Sequence, residues 1–568
     1  MKKINVKILF FLLSVFIVLI IFWWHYLNQE KYIYFWDNVN YWDRWQNLVH
    51  LFRTNFSEGI KQIIYSIRYE AYTDFPTIFI LPWALLFGES RITFILSLVT
   101  TFALPVIAVT YAVLKKFIKK ISNNQTLFKF ILILFLILLP QLWIPITWGM
   151  PDIGGLFFIW LIVWLYFRKN LLNQQYKTLF IISLLLLFLI FFRRWYAFWI
   201  TAFFISIGVS EIITSWKKGL VVCKKIIFRL LLIGIIWLGL LFLLASPLAE
   251  SLFINYGDLY AGYRTLNNIF SHLISLFYYF GPLSIILALF GLYLELFKLK
   301  KILKLSLFFM INFLVVFVLF TRTQDFSIQH YYLITPTIIY FNALAINWIV
   351  NKTTQSIQKV AVTSIIILLE LGGFATMFIP GVKARLGFLS EIYSVNTFYP
   401  MVRNDLNQID NLLMNLNILV KETKGTIYTL ASSIYLNSDI LGRRCRYLYT
   451  NNQDSLCHYL TVTNDIDSRD GIPNQFFKAT YVVLQDPVGY HNLPSTQQVV
   501  GYFAEKIINQ EDFGKYFTQI AGGYFLDDKG EVKIYKKITE FTQSDLELIQ
   551  NYFFQIYPDN KEKFTIDF

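Results

Sequence analysis

Long apolar runs joined by short polar links fill the first two-thirds of the chain. After the basic start Met1-Lys2-Lys3, an apolar run extends from about Ile8 to Trp24, and further runs fall near 91–114, 127–142, 153–167, 178–192, 196–213, 226–246, 282–297, 303–321, 332–349 and 360–379. A helix needs about 20 predominantly apolar residues to cross the hydrocarbon of a bilayer, and these runs approach or reach that length. The run at 76–87 is shorter and holds Pro76 and Pro82, so it reads as a re-entrant or interfacial piece. The pattern predicts about eleven spanning helices. No small-residue cleavage site follows the first run, only Trp23-Trp24-His25-Tyr26, so that run is expected to stay as the first helix with its N-terminus inside.

Past about Pro380 the apolar runs stop. Short strand-like segments at Thr426–Leu430, Tyr481–Leu484 and Val532–Tyr535 alternate with helical stretches such as 403–420. Alternating strands and helices predict a small α/β domain. The expected fold is thus a mostly α membrane protein: a transmembrane core over 1–380, with a large first loop at 25–75, and a soluble α/β domain over 381–568.

Composition agrees with the pattern. Only 15% of the 568 residues are charged while 56% are hydrophobic, against roughly 25% charged in soluble domains, so much of the chain must face lipid. The net charge of +14 raises the question of nucleic acid, and the positions of the charges answer it. Lys and Arg gather in alternate links: Lys115, Lys116, Lys119 and Lys120; Arg168 and Lys169; Lys217, Lys218, Lys224 and Lys225; Lys298, Lys300, Lys301 and Lys304; Lys352 and Lys359. Cytoplasmic loops carry this bias. With the N-terminus inside, every basic link falls on the cytoplasmic side. The loops 25–75, 143–152, 193–195, 247–281 and 322–331 and the C-terminal domain then face outward. No basic face for nucleic acid remains. Cys445 and Cys457 lie in the outward domain, where a disulfide persists; the sequence leaves bonded and free thiols equally open.

The first outward loop holds the densest candidate chemistry, Trp36-Asp37-Asn38-Val39-Asn40-Tyr41-Trp42-Asp43-Arg44. Two carboxylates stand just after a membrane helix among aromatics able to wall a sugar or lipid pocket. Asp37 is the first candidate for a general base and Asp43 the second. Trp36, Asn38, Asn40 and Tyr41 are candidate substrate contacts. Arg193 and Arg194 sit at the outer end of a helix, against the charge bias of the other loops, and call for an anion; a lipid phosphate suits them, since Arg binds phosphate with two parallel hydrogen bonds. The competing reading is snorkelling to headgroups. Asp258 and Arg264, in the middle outward loop, are candidate acceptor contacts or simply partners of each other. The metal-site and phosphate-loop motifs HExxH, paired CxxC, EF-hand and Walker A are all absent from the sequence; an outward Asp cluster nevertheless leaves room for Mg²⁺ or Mn²⁺.

An acidic residue early in the first outward loop, in the setting Trp36-Asp37-Asn38-Val39-Asn40-Tyr41, resembles the GT-C superfamily of membrane glycosyltransferases, which includes protein O-mannosyltransferases and lipid A aminoarabinose transferases. Where many relatives carry Asp-Glu, this chain has Asp37-Asn38. The resemblance implies a catalytic Asp in that loop, a cytoplasmic N-terminus, an outward C-terminal domain and a sugar donor on polyprenyl phosphate. It also makes Arg322 and His330, in the loop 322–331, candidates to approach the carrier phosphate. The expected activity is transfer of that sugar, with inversion, to a glycan, lipid-linked oligosaccharide or protein at the outer face. The rival readings are an O-antigen-type ligase or polymerase, and a transporter or flippase of lipid-linked glycan. The latter calls for charged or broken helices at mid-membrane and for inverted repeats.

Overall fold

A computed structural model describes residues 6–118, 125–169, 171–216, 219–254, 256, 260–266, 268–298, 304–449 and 456–566. The chain forms two compact units: one of Met1–Gln29, Asp37–Asn255 and Leu266–Pro400, the other of Glu30–Trp36, Tyr256–Thr265 and Met401–Phe568.

The first unit is helical. Among the described residues five helices are long and apolar enough to cross a membrane: Arg91–Ile118, Arg194–Ser215, Leu220–Ser251, Lys304–Thr321 and Ser356–Phe378. Shorter apolar helices include Ile153–Arg168 and Tyr176–Phe192. The chain is therefore a multi-pass membrane protein. Its core is aromatic, with Trp23, Trp45, Trp143, Trp160 and Trp199 fully buried. Small residues admit these rings: a Cβ on Gly154 would lie 2.2 Å from the Phe192 ring, and one on Gly155 would lie 2.2 Å from Tyr196.

Two breaks depart from simple spans. Pro247 lies inside Leu220–Ser251, where Ala245 takes φ −148° and ψ 60°. Proline has no N–H to give and crowds the preceding turn; beside the break, the carbonyl of Leu244 accepts a hydrogen bond from Arg68 Nε at 2.9 Å. The outward loop expected over 247–281 contains a helix, Ile269–Phe280, which meets Pro282–Lys298 at a bend of 108°. Gly281 makes the corner at φ +81°, where an added Cβ would strike Ser394 N and the Tyr393 backbone at 2.7 Å. Three apolar side chains on the near face, Leu276, Tyr279 and Phe280, are buried, which explains why this stretch is helical.

The boundary between the units falls at Pro400, later than the expected 380, and is not a single cut. Residues past the last span bond back to the helical unit: Val395 N–H donates to Tyr278 O at 3.1 Å, Phe398 N–H to Met377 O at 2.8 Å, and Tyr26 Oη to Phe398 O at 2.8 Å. In the other direction, Lys31 N–H donates to Met401 O at 2.9 Å, and Ile33 and Phe35 enter the core of the second unit.

The second unit is built on a five-stranded mixed sheet, β1 (Ile427–Leu430), β2 (Leu460–Thr461), β3 (Tyr481–Asp486), β4 (Phe517–Phe525) and β5 (Glu531–Lys537), in the order β2-β1-β3-β5-β4. β2, β1 and β3 run parallel, while β5 pairs antiparallel with both β3 and β4. The α/β class matches the expectation. The pattern missed β2, only two residues long, and β4, whose burial alternates poorly because two irregularities interrupt its register. Cys445 and Cys457 form a disulfide, which decides the alternative that the sequence left open. Cys223 is buried and free.

Candidate active site

The segment carrying the acidic motif is a helix, Asp37–Thr54. Tyr41, Trp45, Leu48 and Val49 are buried at i, i+4, i+7 and i+8, the stripe an amphipathic helix turns toward its core. Asp37 stands in its first turn, where exposed backbone N–H groups favour a negative charge. Asp43 lies six residues on, about 120° away around the helix, so the two carboxylates do not form a pair. Just before the helix, Trp36 takes φ +48°, a conformation that bulky residues adopt only when held there. Its N–H donates to Asp439 Oδ2 at 2.7 Å and its ring centroid lies 4.5 Å from that of His491, all within the second unit.

Asp37 is oriented by a residue that the sequence pattern did not flag. Tyr72 Oη donates to Asp37 Oδ1 at 2.5 Å. Burial, and then the negative Asp37, hold the Tyr72 phenol well above its ordinary pKa, so it acts as a neutral donor. The Tyr72 ring lies under the guanidinium of Arg193, 4.4 Å from its centroid. Arg193 is 7% exposed; its Nη1 donates to Tyr41 Oη at 2.9 Å and its Nε lies 3.0 Å from Asp152 Oδ1. Burial opposes the charge on Arg193, but Asp152 beside it, with Tyr41, Tyr72 and Asp37, outweighs that cost and holds its pKa well above the usual value. Asp152 is 0% exposed, and its backbone carbonyl accepts from Tyr196 Oη at 2.7 Å. A continuous relay thus runs Asp152–Arg193–Tyr72–Asp37, with Tyr41 as a side branch.

The turn that supplies Asp152 also braces the start of the Asp37 helix. Arg91 Nη1 donates to Asn38 O at 2.7 Å and Nη2 to Thr147 O at 3.4 Å. Gly149 takes φ +83°, and a Cβ there would lie 2.4 Å from Arg91 Nη1. Asn38 is 5% exposed and offers its backbone to this brace. Asn40 Oδ1 accepts from Arg44 Nε at 3.0 Å, and Arg44 Nη1 reaches Glu70 at 2.5 Å and Asp74 at 3.2 Å. Asn40 therefore belongs to an ion-pair cluster in this loop.

The expected phosphate contacts divide. Arg193 is committed to the buried relay. Arg194, next to it in a turn of 3₁₀-helix, is half-buried, and Arg322 is exposed at the end of the Lys304–Thr321 helix. His330 is buried among aromatics, its ring 5.3 Å from Trp195 and 4.8 Å from Phe320, and its Nδ1 accepts from Ser327 N–H at 3.2 Å. Burial and the nearby Arg193 push its pKa down to about 3, so it offers a phosphate no positive charge near neutral pH. Arg264 is exposed in the second unit, and Asp258 lies outside the described residues. Among the described residues no three His, Cys, Asp or Glu side chains converge as around a metal. Asp37 and Asp43 face apart, and Arg44 pairs with both Glu70 and Asp74.

No family model matches the chain, and no curated protein matches it. Solved structures similar to it include two at 12% identity. ArnT from Cupriavidus metallidurans bound to undecaprenyl phosphate covers 92% of this chain and 98% of its own, with a TM-score of 0.43. The same protein in the apo state covers 93% and 98%, with a TM-score of 0.45. Likeness at such scores decides no activity, and the reading of function rests on the residues of the relay.

Proposed function

We propose that this protein transfers a sugar from a polyprenyl-phosphate carrier to a hydroxyl of a glycan, lipid-linked oligosaccharide or protein acceptor at the outer face of the membrane, with Asp37 as general base. The observation that carries this reading is the Asp37 carboxylate, set at a helix N-terminus and aimed by a neutral Tyr72 that rests on the buried Arg193–Asp152 pair. In this reading Asp37 takes the proton of the acceptor hydroxyl as its oxygen attacks the anomeric carbon. The carbon–oxygen bond to the carrier phosphate breaks, its electron pair stays on the phosphate, and Arg194 and Arg322 offset the charge that builds there. Attack opposite the leaving group inverts the anomeric configuration. Tyr72 and Arg193 are positioning residues.

Purified protein in proteoliposomes, given polyprenyl-phosphate sugars and envelope glycan, should release free polyprenyl phosphate only when acceptor is present. Translocation of intact carrier without cleavage would instead establish the flippase reading.

The sidedness has its own test. Cysteines at Ser57 and Thr423, both exposed, should react with an impermeant maleimide in intact cells, whereas one at exposed Lys169 should react only after permeabilisation. The Cys445–Cys457 disulfide supports an oxidising compartment for the second unit. Labelling at Lys169 alone would invert the orientation and remove Asp37 from the outer face.

A further inference from the structure

The apolar span Ser356–Phe378 carries a single acid, Glu370. Only 17% of the span's apolar window is buried, so most of the helix faces lipid. An ionisable side chain in such a place is expensive unless something compensates it. Glu370 lines a cavity of about 40 Å³ together with Gln141, Ser284, Met377 and Tyr393, and no Lys, Arg or His contributes to its wall. Gln141 is 1% exposed; its Nε2 donates to Tyr279 O and Phe280 O at 3.1 and 3.3 Å, which leaves Oε1 without a donor among the described residues. A carboxylate and an orphaned amide oxygen thus line one small chamber, both acceptors, with no protein cation to meet them. The rest of the wall is largely apolar, including Phe135, Leu139, Leu283 and Leu287. The volume suits one small polar group, since a water occupies roughly 30 Å³ of liquid. Ile392, Tyr393 and Ser394, which also line it, lie beyond the end of the span, so the chamber is near headgroup level at the Phe378 end.

We infer that this chamber binds the primary ammonium of an aminophospholipid headgroup, held by Glu370 and Gln141 Oε1, with the lipid chains along the exposed face of the Ser356–Phe378 helix. An ammonium carries three N–H donors and a positive charge, and so serves the carboxylate and the unpaired amide oxygen at once. A quaternary choline has the charge but no N–H to give. The inference is independent of the transferase reading, because no residue of the Asp37 relay lines the chamber.

The test compares full-length protein in nanodiscs of phosphatidylethanolamine or phosphatidylcholine, with bound lipid counted by native mass spectrometry. Wild type should retain phosphatidylethanolamine about tenfold over phosphatidylcholine, the scale of a lost charge-assisted hydrogen-bond pair. Glu370→Gln, which keeps the shape and removes the charge, should bring the preference to within about twofold. Equal retention of the two lipids by wild type, a comparison that needs no variant, would overturn the proposal and leave a water in the chamber. So would an unchanged preference in Glu370→Gln. Free ethanolamine that stabilises the protein in phosphatidylcholine as fully as phosphatidylethanolamine does would overturn the lipid as the source of the ammonium.

Discussion

Asp37→Asn should give a protein that inserts, folds and binds donor but transfers sugar roughly 10²–10⁴-fold more slowly, the range that a positioned general base contributes. The side chain keeps its size and still accepts the hydrogen bond from Tyr72, so the relay behind it stays intact. What it loses is the ability to take a proton from the acceptor hydroxyl. The donor end needs less help, because a phosphate is already a good leaving group. Asp43→Asn is the internal control, since it lies on the same helix but on another face. Tyr72→Phe should fall between the two: the carboxylate survives but loses its 2.5 Å donor. The measurement is single-turnover transfer with donor binding determined separately. Native turnover in Asp37→Asn with loss in Asp43→Asn would move the base to Asp43. Native turnover in both would remove the mechanism.

The adjacent arginines should fail in different ways. Arg193→Ala strips the partner from a fully buried carboxylate, Asp152, and unseats the Tyr72 ring. Breaking a buried pair by removing one partner costs about 3–5 kcal/mol, so the variant should melt well below wild type. Arg193→Met with Asp152→Asn removes both charges together and should recover most of the stability while transfer stays low, because Tyr72 then loses its cationic support. Arg194→Ala should melt close to wild type and lose about 100-fold in transfer, as for removal of a single charge-stabilising donor. Thermal unfolding in detergent and transfer rates separate these outcomes. An Arg194→Ala variant with native transfer would leave headgroup contact as the role of that side chain. An Arg193→Ala variant with native melting would contradict the buried pair.

The helical unit and the α/β unit were legible because their signals are local. A span shows itself as a run of apolar side chains, and a buried strand as a short β-branched or aromatic run such as Tyr481–Leu484. An expected orientation followed as well, from how Lys and Arg are distributed among the links. Asp37 could be singled out because an acid among aromatics beside a span contradicts its surroundings.

The site around Asp37 was not legible, for a physical reason. Its parts come from separate stretches of chain: Asp37 and Tyr41 from one helix, Tyr72 from the loop after another, Asp152 from a turn and Arg193 from the end of a span. Nothing near Tyr72 in sequence marks it as a donor to Asp37; the bond exists because packing of the aromatic core lays its ring beneath Arg193. Arg193 and Arg194 likewise look interchangeable as neighbours. The break in the helix after Phe192 turns one into a buried ion pair with Asp152 and leaves the other half-buried. His330 shows the same limit, since only its enclosure by Trp195 and Phe320 makes it a neutral ring. Hydrophobic periodicity and charge bias, both properties of single segments, determined the multi-pass helical character of the first unit, its expected direction and the class of the C-terminal domain. Which polar groups meet, and which charge is matched or left over, depends on distances between segments, and only the tertiary structure decided it.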